Sequence, residues 1–422
     1  MDSFVELDLS ILFLVAVILI WFMIAWQLVL TVYGFFHQMA SLKEKRVIDN
    51  MEFDYPGVSI LIPAHNEELV IAATVESMLA LEYPSDRLEV IVINDGSTDG
   101  TRGIVESIAA RDSRVVLYNV PAGEGGKGKS RALNLGVKQA RFDFISVFDA
   151  DNTPERSSLR YLMAQLLLHE DLGAVIGKFR TVNRKRNLLT RFINIETLSF
   201  QSILQAGRWR MLNIATLPGT NYVIRRKIVE DLEGWDEAAI TEDSEFSIRM
   251  YMHNWKIKII PYAVTWEQEP ETWKVWTRQR TRWVQGNNYV ARKFFRIRKE
   301  LPSRKLRFEI SYSLALYYVF FFAIIISDLL FLMAVTNVVV ITLPGPYTMV
   351  WLIAIVLFFA EIWLALSYDG EDTIGALFTI ALMYISYCQL WIFVVARAFT
   401  LDVLLKRKQT WVKTERFKRE QL

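Results

Sequence analysis

Phe142-Asp143-Phe144-Ile145-Ser146-Val147-Phe148-Asp149-Ala150-Asp151 is the stretch that decides the fold. Phe142 to Phe148 is rich enough in aromatic and β-branched residues for a buried strand, and Asp149-Ala150-Asp151 closes it at the carboxyl end. Two carboxylates two residues apart form a pincer for a divalent cation. Mg²⁺ and Mn²⁺ prefer oxygen ligands and share them with substrate phosphates. A diphosphate held this way points to a nucleotide-sugar donor. The D-x-D spacing arises often by chance, so its surroundings must carry the inference.

Upstream, Val58 to Ile62 reads as a strand, Glu67 to Ala80 as a helix and Leu88 to Ile93 as a second strand. Asp95-Gly96-Ser97-Thr98-Asp99-Gly100 is turn chemistry, Val115 to Tyr118 a third strand, and Ser130 to Ala140 a helix after the glycine-rich loop Gly123 to Gly128. Strands alternating with helices predict an α/β domain with a mostly parallel sheet, whose ligands bind beyond the carboxyl ends of the strands. Beyond Pro154 the alternation fades. Leu188–Gly207 and Trp273–Phe295 are amphipathic, with arginines and aromatics interleaved; the first reads equally as an interfacial helix under a membrane or as a core helix, and the second reads rather as interfacial.

The 422 residues are 52% apolar, and the charges are segregated. Leu9 to Phe36 carries no formal charge and is long enough for a retained membrane anchor. Three more apolar stretches follow, at Ser311–Asn337, Thr348–Leu366 and Ile374–Ala396. The expected organisation is an anchor at 1–42, a globular domain at 43–306, a membrane region at 307–400 and a basic tail at 401–422. Met1–Ser10 is acidic while Lys43, Lys45 and Arg46 follow the first span, so the globular domain is expected in the cytoplasm of a multi-pass plasma-membrane protein. Three late crossings would leave the basic tail outside, so one late stretch is expected to be re-entrant or interfacial, or a crossing is unaccounted for. The single cysteine, Cys388, excludes a disulfide framework. Net charge near zero gives no indication of a nucleic-acid partner.

Several residues could carry chemistry. His65 and Glu67 follow the first strand, where they could meet a base or ribose, or simply open a helix. Asp95 lies on the same sheet edge. Gly123-x-x-x-x-Gly128-Lys129-Ser130 has P-loop spacing but follows the third strand rather than the first, so Lys129 reads better as a contact to a donor diphosphate. Thr241-Glu242-Asp243 is either a capped helix start or a carboxylate site that deprotonates an incoming hydroxyl. Gln279, Arg282 and Trp283 could clamp a phosphate and stack on a sugar, or meet lipid headgroups.

Taken in order, Pro63-Ala64-His65-Asn66-Glu67, Asn94 to Asp99, Lys129-x-x-Ala132-Leu133-Asn134, Asp149-Ala150-Asp151, Thr241-Glu242-Asp243 and Gln279-x-x-Arg282-Trp283 resemble glycosyltransferase family 2 in its membrane-embedded processive branch. Cellulose, hyaluronan and poly-N-acetylglucosamine synthases share this set. The resemblance implies a GT-A fold, a UDP-sugar donor, Mg²⁺ or Mn²⁺, and inverting transfer to a growing β-linked polysaccharide. It implies nucleotide-sugar contacts at His65, Glu67, Asp95, Lys129, Asp149 and Arg282, and a metal ligand at Asp151. Asp243 would be the base, with Glu242 beside it, and Gln279 and Trp283 would hold the acceptor. His65 stands where many relatives have tyrosine, and Asn94 where many have aspartate. The architecture is most similar to bacterial exopolysaccharide synthases of the poly-N-acetylglucosamine type. The chain's length is expected to leave no C-terminal cyclic-di-GMP-binding domain, and its few spans make a small membrane partner or self-association an expectation.

Overall fold

Apolar and charged residues segregate along the chain, and the computed structural model, which describes residues 3–121, 123–342, 345–405 and 415–417, follows that division. Helix α1 (Ser3–Asp49) has 47 residues, about 70 Å at 1.5 Å per residue, more than twice a ~30 Å hydrocarbon core. Its last turns therefore reach the globular domain. There His37 Nε2 meets the Ile259 carbonyl at 3.1 Å, and Lys258 Nζ donates to Glu44 at 3.0 Å and to Gln165 Oε1 at 2.9 Å.

The domain is built on β1 (Val58–Ala64), β2 (Leu88–Asn94), β3 (Val115–Asn119), β4 (Phe144–Val147), β5 (Thr153–Pro154), β6 (Leu172–Thr181), β7 (Tyr222–Arg225) and β8 (Lys256–Glu267). Among the described residues these form one eight-stranded sheet in the order β3-β2-β1-β4-β7-β6-β8-β5. β1 to β4 pair in parallel, whereas β7 runs antiparallel to both β4 and β6. β6 and β8 again pair in parallel, so the sheet is mixed, as the GT-A resemblance implies, and the strand pattern does not fade after Pro154: β6, β7 and β8 extend it. Their signal is weak in sequence because long helical excursions separate them. β1 and β2 alternate Ile60, Ile62, Val90 and Val92 to one face, and Leu61, Ile91 and Ile93 to the other. The first face is covered by α2 (Ile71–Leu79), α3 (Thr101–Ala109) and, farther along, α5 (Ser158–Leu168). α4 (Lys129–Gln139) covers the second, with α8 (Arg226–Asp231) and α9 (Glu242–Met252).

The amphipathic segments become α6 (Leu188–Ser199), a π-helical turn at Phe200–Gln205, α7 (Ala206–Leu212) and α10 (Trp273–Arg296). Both pack against the late helices rather than inside the α/β core. These are α11 (Arg304–Ala315), α12 (Phe321–Val335), α13 (Tyr347–Ser367), α14 (Ile374–Ile385) and α15 (Tyr387–Phe399). Phe192 and Ile193 of α6, Trp276 and Val284 of α10, and Ile362, Met383, Tyr387 and Val394 form one buried cluster.

Among the described residues three helices are long and apolar enough to cross a membrane: Leu7–Asp49, Tyr347–Ser367 and Ile374–Asp402; the apolar helix Phe322–Val335 is shorter. The loop contacts order these differently. After α12, Thr342 N donates to Ser10 Oγ at 2.9 Å, at the amino end of α1. After α13, Asp369 pairs with Lys178, and Glu371 accepts from Arg180 Nη2 at 2.8 Å and Asn194 Nδ2 at 2.6 Å, at the globular end. Asp402, past α15, accepts from Gln285 of α10 at 2.7 Å, again at the globular end. The expected basic tail residues Lys406, Arg407, Lys408, Lys413, Lys418 and Arg419 lie outside the described residues.

α1 and α7 approach closely because Gly207 faces Leu30: a Cβ on Gly207 would sit 2.3 Å from the Leu30 carbonyl oxygen. Gly207→Val forces these backbones apart. It is expected to destabilise the fold by about 1–3 kcal/mol, read as a lowered melting temperature of the detergent-solubilised protein.

Candidate active site

The carboxyl edge of the sheet gathers acid from four chain segments. β4 ends at Val147, and the turn that follows, closed by Asn152 N to the Asp149 carbonyl at 3.1 Å, carries Asp149 and Asp151. Thr220 Oγ1 accepts from Asp149 N at 3.0 Å, and Thr74 Oγ1 donates to the Ala150 carbonyl at 2.7 Å, so the turn is pinned on both sides. α9 begins with Glu242 and Asp243, where the helix dipole favours carboxylates. Thr241, at the N-cap position, makes no capping hydrogen bond with its side chain. The simple capped-helix reading of Thr241 therefore finds no support in the geometry. β8 delivers Glu267 and, just past its end, Gln268 and Glu269.

Lys129, the first residue of α4, answers this charge. Its Nζ lies 2.5 Å from Asp149 Oδ1, 2.7 Å from the Gly219 carbonyl and 3.7 Å from Glu242 Oε1. Burial alone would lower its pKa, but Asp149 and Glu242 outweigh that and the net shift is upward. Gly219 has φ +82°, and a Cβ there would meet Asp243 Oδ2 at 3.0 Å and Lys129 Nζ at 3.4 Å, so glycine is what allows the three to converge. Burial, more than the nearby Asp243, pushes Glu242 up to about 7 against the pull of Lys129. Burial raises Asp243 as well, although Ser244 N donates to it at 2.7 Å.

Asp95 is 5% exposed, and its carboxylate accepts from Gly126 N at 2.9 Å. The glycine-rich loop thus packs on the Asp95 turn and leads into Lys129. His65 Nδ1 lies 2.6 Å from the Asp95 carbonyl, and Glu67 N donates to Thr101 Oγ1 at 2.7 Å. On the opposite wall, Gln279, Arg282 and Trp283 project from α10. Burial pulls the Arg282 guanidinium below its usual value. Trp283 is 38% exposed.

Every residue singled out in the sequence, from His65 to Trp283, lines one cavity of about 950 Å³. Three groups were not singled out. Glu267 is held well above the usual carboxylate range by burial and by Glu269, Asp151 and Asp149. Glu196 and Arg280 pair at 2.6 Å under the α10 wall. Most unexpected is Arg416: its Nη1 lies 2.8 Å from Asp151 Oδ2 and its Nε 3.8 Å from Glu67 Oε2. Phe417 N donates to Gln268 Oε1 at 2.9 Å and its carbonyl accepts from Gln268 Nε2 at 2.8 Å. Only the basic character of the tail hinted at this.

Comparison with known proteins follows the same lines. Residues 56–286 match the family described as glycosyltransferase like family 2. The Bacillus subtilis protein named probable glycosyltransferase YdaM is 43% identical over 411 residues, 96% of this chain and 98% of its own length. A poly-β-1,6-N-acetyl-D-glucosamine synthase of Staphylococcus aureus (strain COL) is 30% identical over 293 residues, 68% of this chain and 69% of its own. A solved mannosyltransferase of Pyrobaculum calidifontis, in complex with GDP-Man and Mn²⁺, aligns with a TM-score of 0.53 at 21% identity. The alignment covers 86% of this chain and 99% of that one, a likeness of fold. The globular domain has a GT-A-like glycosyltransferase fold.

The raised carboxylates set a pH dependence. Ionised Asp243 and Glu242 accumulate as pH rises, so kcat/KM is expected to climb through an acid limb with an apparent pKa of about 7. Glu242→Gln removes one like charge and is expected to move that limb to lower pH in initial-rate profiles.

Proposed function

Because the chain belongs to the glycosyltransferase-like family 2, we propose that it is a processive, inverting exopolysaccharide synthase that uses a UDP-sugar, with poly-β-1,6-N-acetylglucosamine from UDP-N-acetylglucosamine as the leading product. The observation that carries this reading is the continuity of the cavity. It runs from Asp149 and Asp243 past Trp283 into the membrane helices, between Trp21 of α1 and Trp351 of α13. Tryptophan faces suit sugar rings, and a path from the reaction centre into the bilayer suits a product that must leave through it.

In this reading Asp95, with His65 and Glu67 nearby, holds the nucleoside end, Asp149 contacts the nucleotide, and Lys129 and Arg282 face the diphosphate. Gln279 and Trp283 hold the acceptor terminus. Asp243 accepts the proton of the acceptor hydroxyl. The hydroxyl oxygen forms a bond to the anomeric carbon as the bond from that carbon to the diphosphate oxygen breaks, and UDP departs with the electron pair. Burial keeps Asp243 basic enough to take that proton, and Glu242 beside it pairs with the Lys129 ammonium at 3.7 Å.

The residues also fit Mg²⁺ or Mn²⁺. The guanidinium of Arg416 stands on Asp151 in the position of a counter-cation, and the carboxyl of Glu267 is held high by burial first and then by Glu269, Asp151 and Asp149. Such a cation takes oxygen ligands and would complete its shell with substrate oxygens. When bound through Asp151, such an ion neutralises the leaving diphosphate.

In this reading the catalytic domain is cytoplasmic, as the positive charges after the first span suggest, and the contacts of Thr342, Asp369 and Asp402 support crossings by α1, by the run α11–α12 and by α13. The broken helix α14–α15 then lies on the cytoplasmic side, since both Asp369 and Asp402 touch the globular domain. That arrangement keeps the basic tail inside and accounts for the odd count of apolar stretches.

Two outcomes check the reading. Purified protein with UDP-N-acetylglucosamine is expected to yield long chains by size-exclusion analysis; a product one sugar longer than its acceptor would make the enzyme a non-processive transferase. Asp243→Asn is expected to lower turnover at least ~10³-fold while UDP binding by calorimetry persists. Separately, Arg416→Gln removes the competing guanidinium and is expected to tighten Mn²⁺ binding roughly tenfold, again by calorimetry.

A further inference from the structure

Beneath the acceptor wall, Arg280 is 1% exposed, yet it lies on the helix face that turns toward Trp283. Its guanidinium carbon sits 3.9 Å from the centroid of the Trp283 ring, and its Nη1 donates to Gln279 Oε1 at 2.9 Å. Both outer residues of the Gln279-x-x-Arg282-Trp283 motif are therefore held by a residue inside it. Arg280 is fixed in turn by Glu196 of α6, whose Oε2 accepts from Arg280 Nη2 at 2.6 Å and from the Tyr387 hydroxyl at 2.8 Å. Trp391 Nε1 donates to Glu196 Oε1 at 3.1 Å, and Trp276 Nε1 donates to the Tyr387 hydroxyl at 2.8 Å. Tyr387 is the first residue of α15, directly after the break at Ser386 that separates it from α14.

We propose that Arg280, clamped by Glu196 and Tyr387, is a positioning residue that holds the Trp283 ring and the Gln279 amide in the geometry that receives the acceptor sugar, and that it ties this geometry to the broken helix α14–α15. The proposal rests on the reading of Gln279 and Trp283 as acceptor contacts. A cation against one face of an indole fixes the ring and leaves the other face to meet a sugar. A planar guanidinium can pair with a carboxylate, stack on a ring and donate to an amide at once; lysine cannot, because its ammonium is a point charge on a flexible stem. Arg280 is buried and Glu196 half-buried, so removing Glu196 leaves the guanidinium without its ion pair and removing Arg280 leaves the ring unsupported. Donor contacts at Asp95, Lys129 and Asp149 come from other elements, and none of them touches this cluster through a hydrogen bond among the described residues.

The test uses the full chain in detergent, with UDP-N-acetylglucosamine as donor and β-1,6-linked N-acetylglucosamine oligomers as acceptor. Arg280→Gln is expected to raise the acceptor KM about tenfold, with the donor KM held within about twofold. Arg280→Lys should recover only part of the loss, and Tyr387→Phe, which keeps the ring in the core, should reproduce a smaller share of it. In a double-mutant cycle, Arg280→Gln and Trp283→Leu should be strongly non-additive on acceptor KM, because each removes the same contact. Additive losses, or a matching rise in donor KM, would overturn the positioning role, and Tyr387→Phe carries the same test should the Arg280 variants not fold. If Trp283→Leu alone leaves the acceptor KM unchanged, it is the acceptor reading of the motif that fails, taking the proposal with it.

Discussion

Asp149, Asp151, Glu242, Asp243 and Glu267 converge at one edge of one sheet, largely out of water, and like charges placed so must be neutralised or protonated. The arrangement of the rest of the protein answers that constraint. Lys129 reaches Asp149, Glu242 and the Gly219 carbonyl at once, joining α4, the turn after β4, the loop before β7 and the start of α9. Arg416 does the same for Asp151 and Glu67 from the far end of the chain. Burial shifts carboxylates even where a cation is near: Glu242, with Lys129 3.7 Å away, and Glu269 are each pushed to about 7. A site built in this way attracts positive charge, which Lys129 and Arg416 supply from distant parts of the chain.

The membrane helices are continuous with this chemistry. α1 runs past its apolar stretch to meet β8, the α13–α14 loop is locked to Lys178 and Arg180, and Tyr387 reaches the α10 wall through Glu196. Each of these junctions is polar and at least half-buried, and the Lys178–Asp369 pair is buried on both sides. Breaking a buried ion pair by removing one member costs about 3–5 kcal/mol, far more than an exposed surface pair contributes. The domain and the helices therefore behave as one body around the cavity.

How much could be read directly is clear from particular residues. Asp95, Lys129, Asp149, Asp151 and Asp243 each end a strand or open a helix, and short-range pattern is enough to put them on the same edge. β1 to β4 were legible because their apolar runs are compact and punctuated by turn residues. β6, β7 and β8 were not, since pairing among strands separated by α6, α7 and α9 depends on contacts far apart in sequence. The apolar count alone could not decide which late stretches cross, because length and hydropathy are the same for a crossing helix and for a helix pair broken at Ser386.

Sequence by itself determined the chemistry: which side chains could take a cation, a diphosphate or a proton, and that an anchored α/β domain presents them at a strand edge. Those follow from residue type and local spacing. Tertiary structure alone decided which charges meet. Arg416 lies 265 residues beyond Asp151, and Glu196, Arg280 and Tyr387 come from three helices. Nothing in local spacing brings such residues together; the need to neutralise buried carboxylates does.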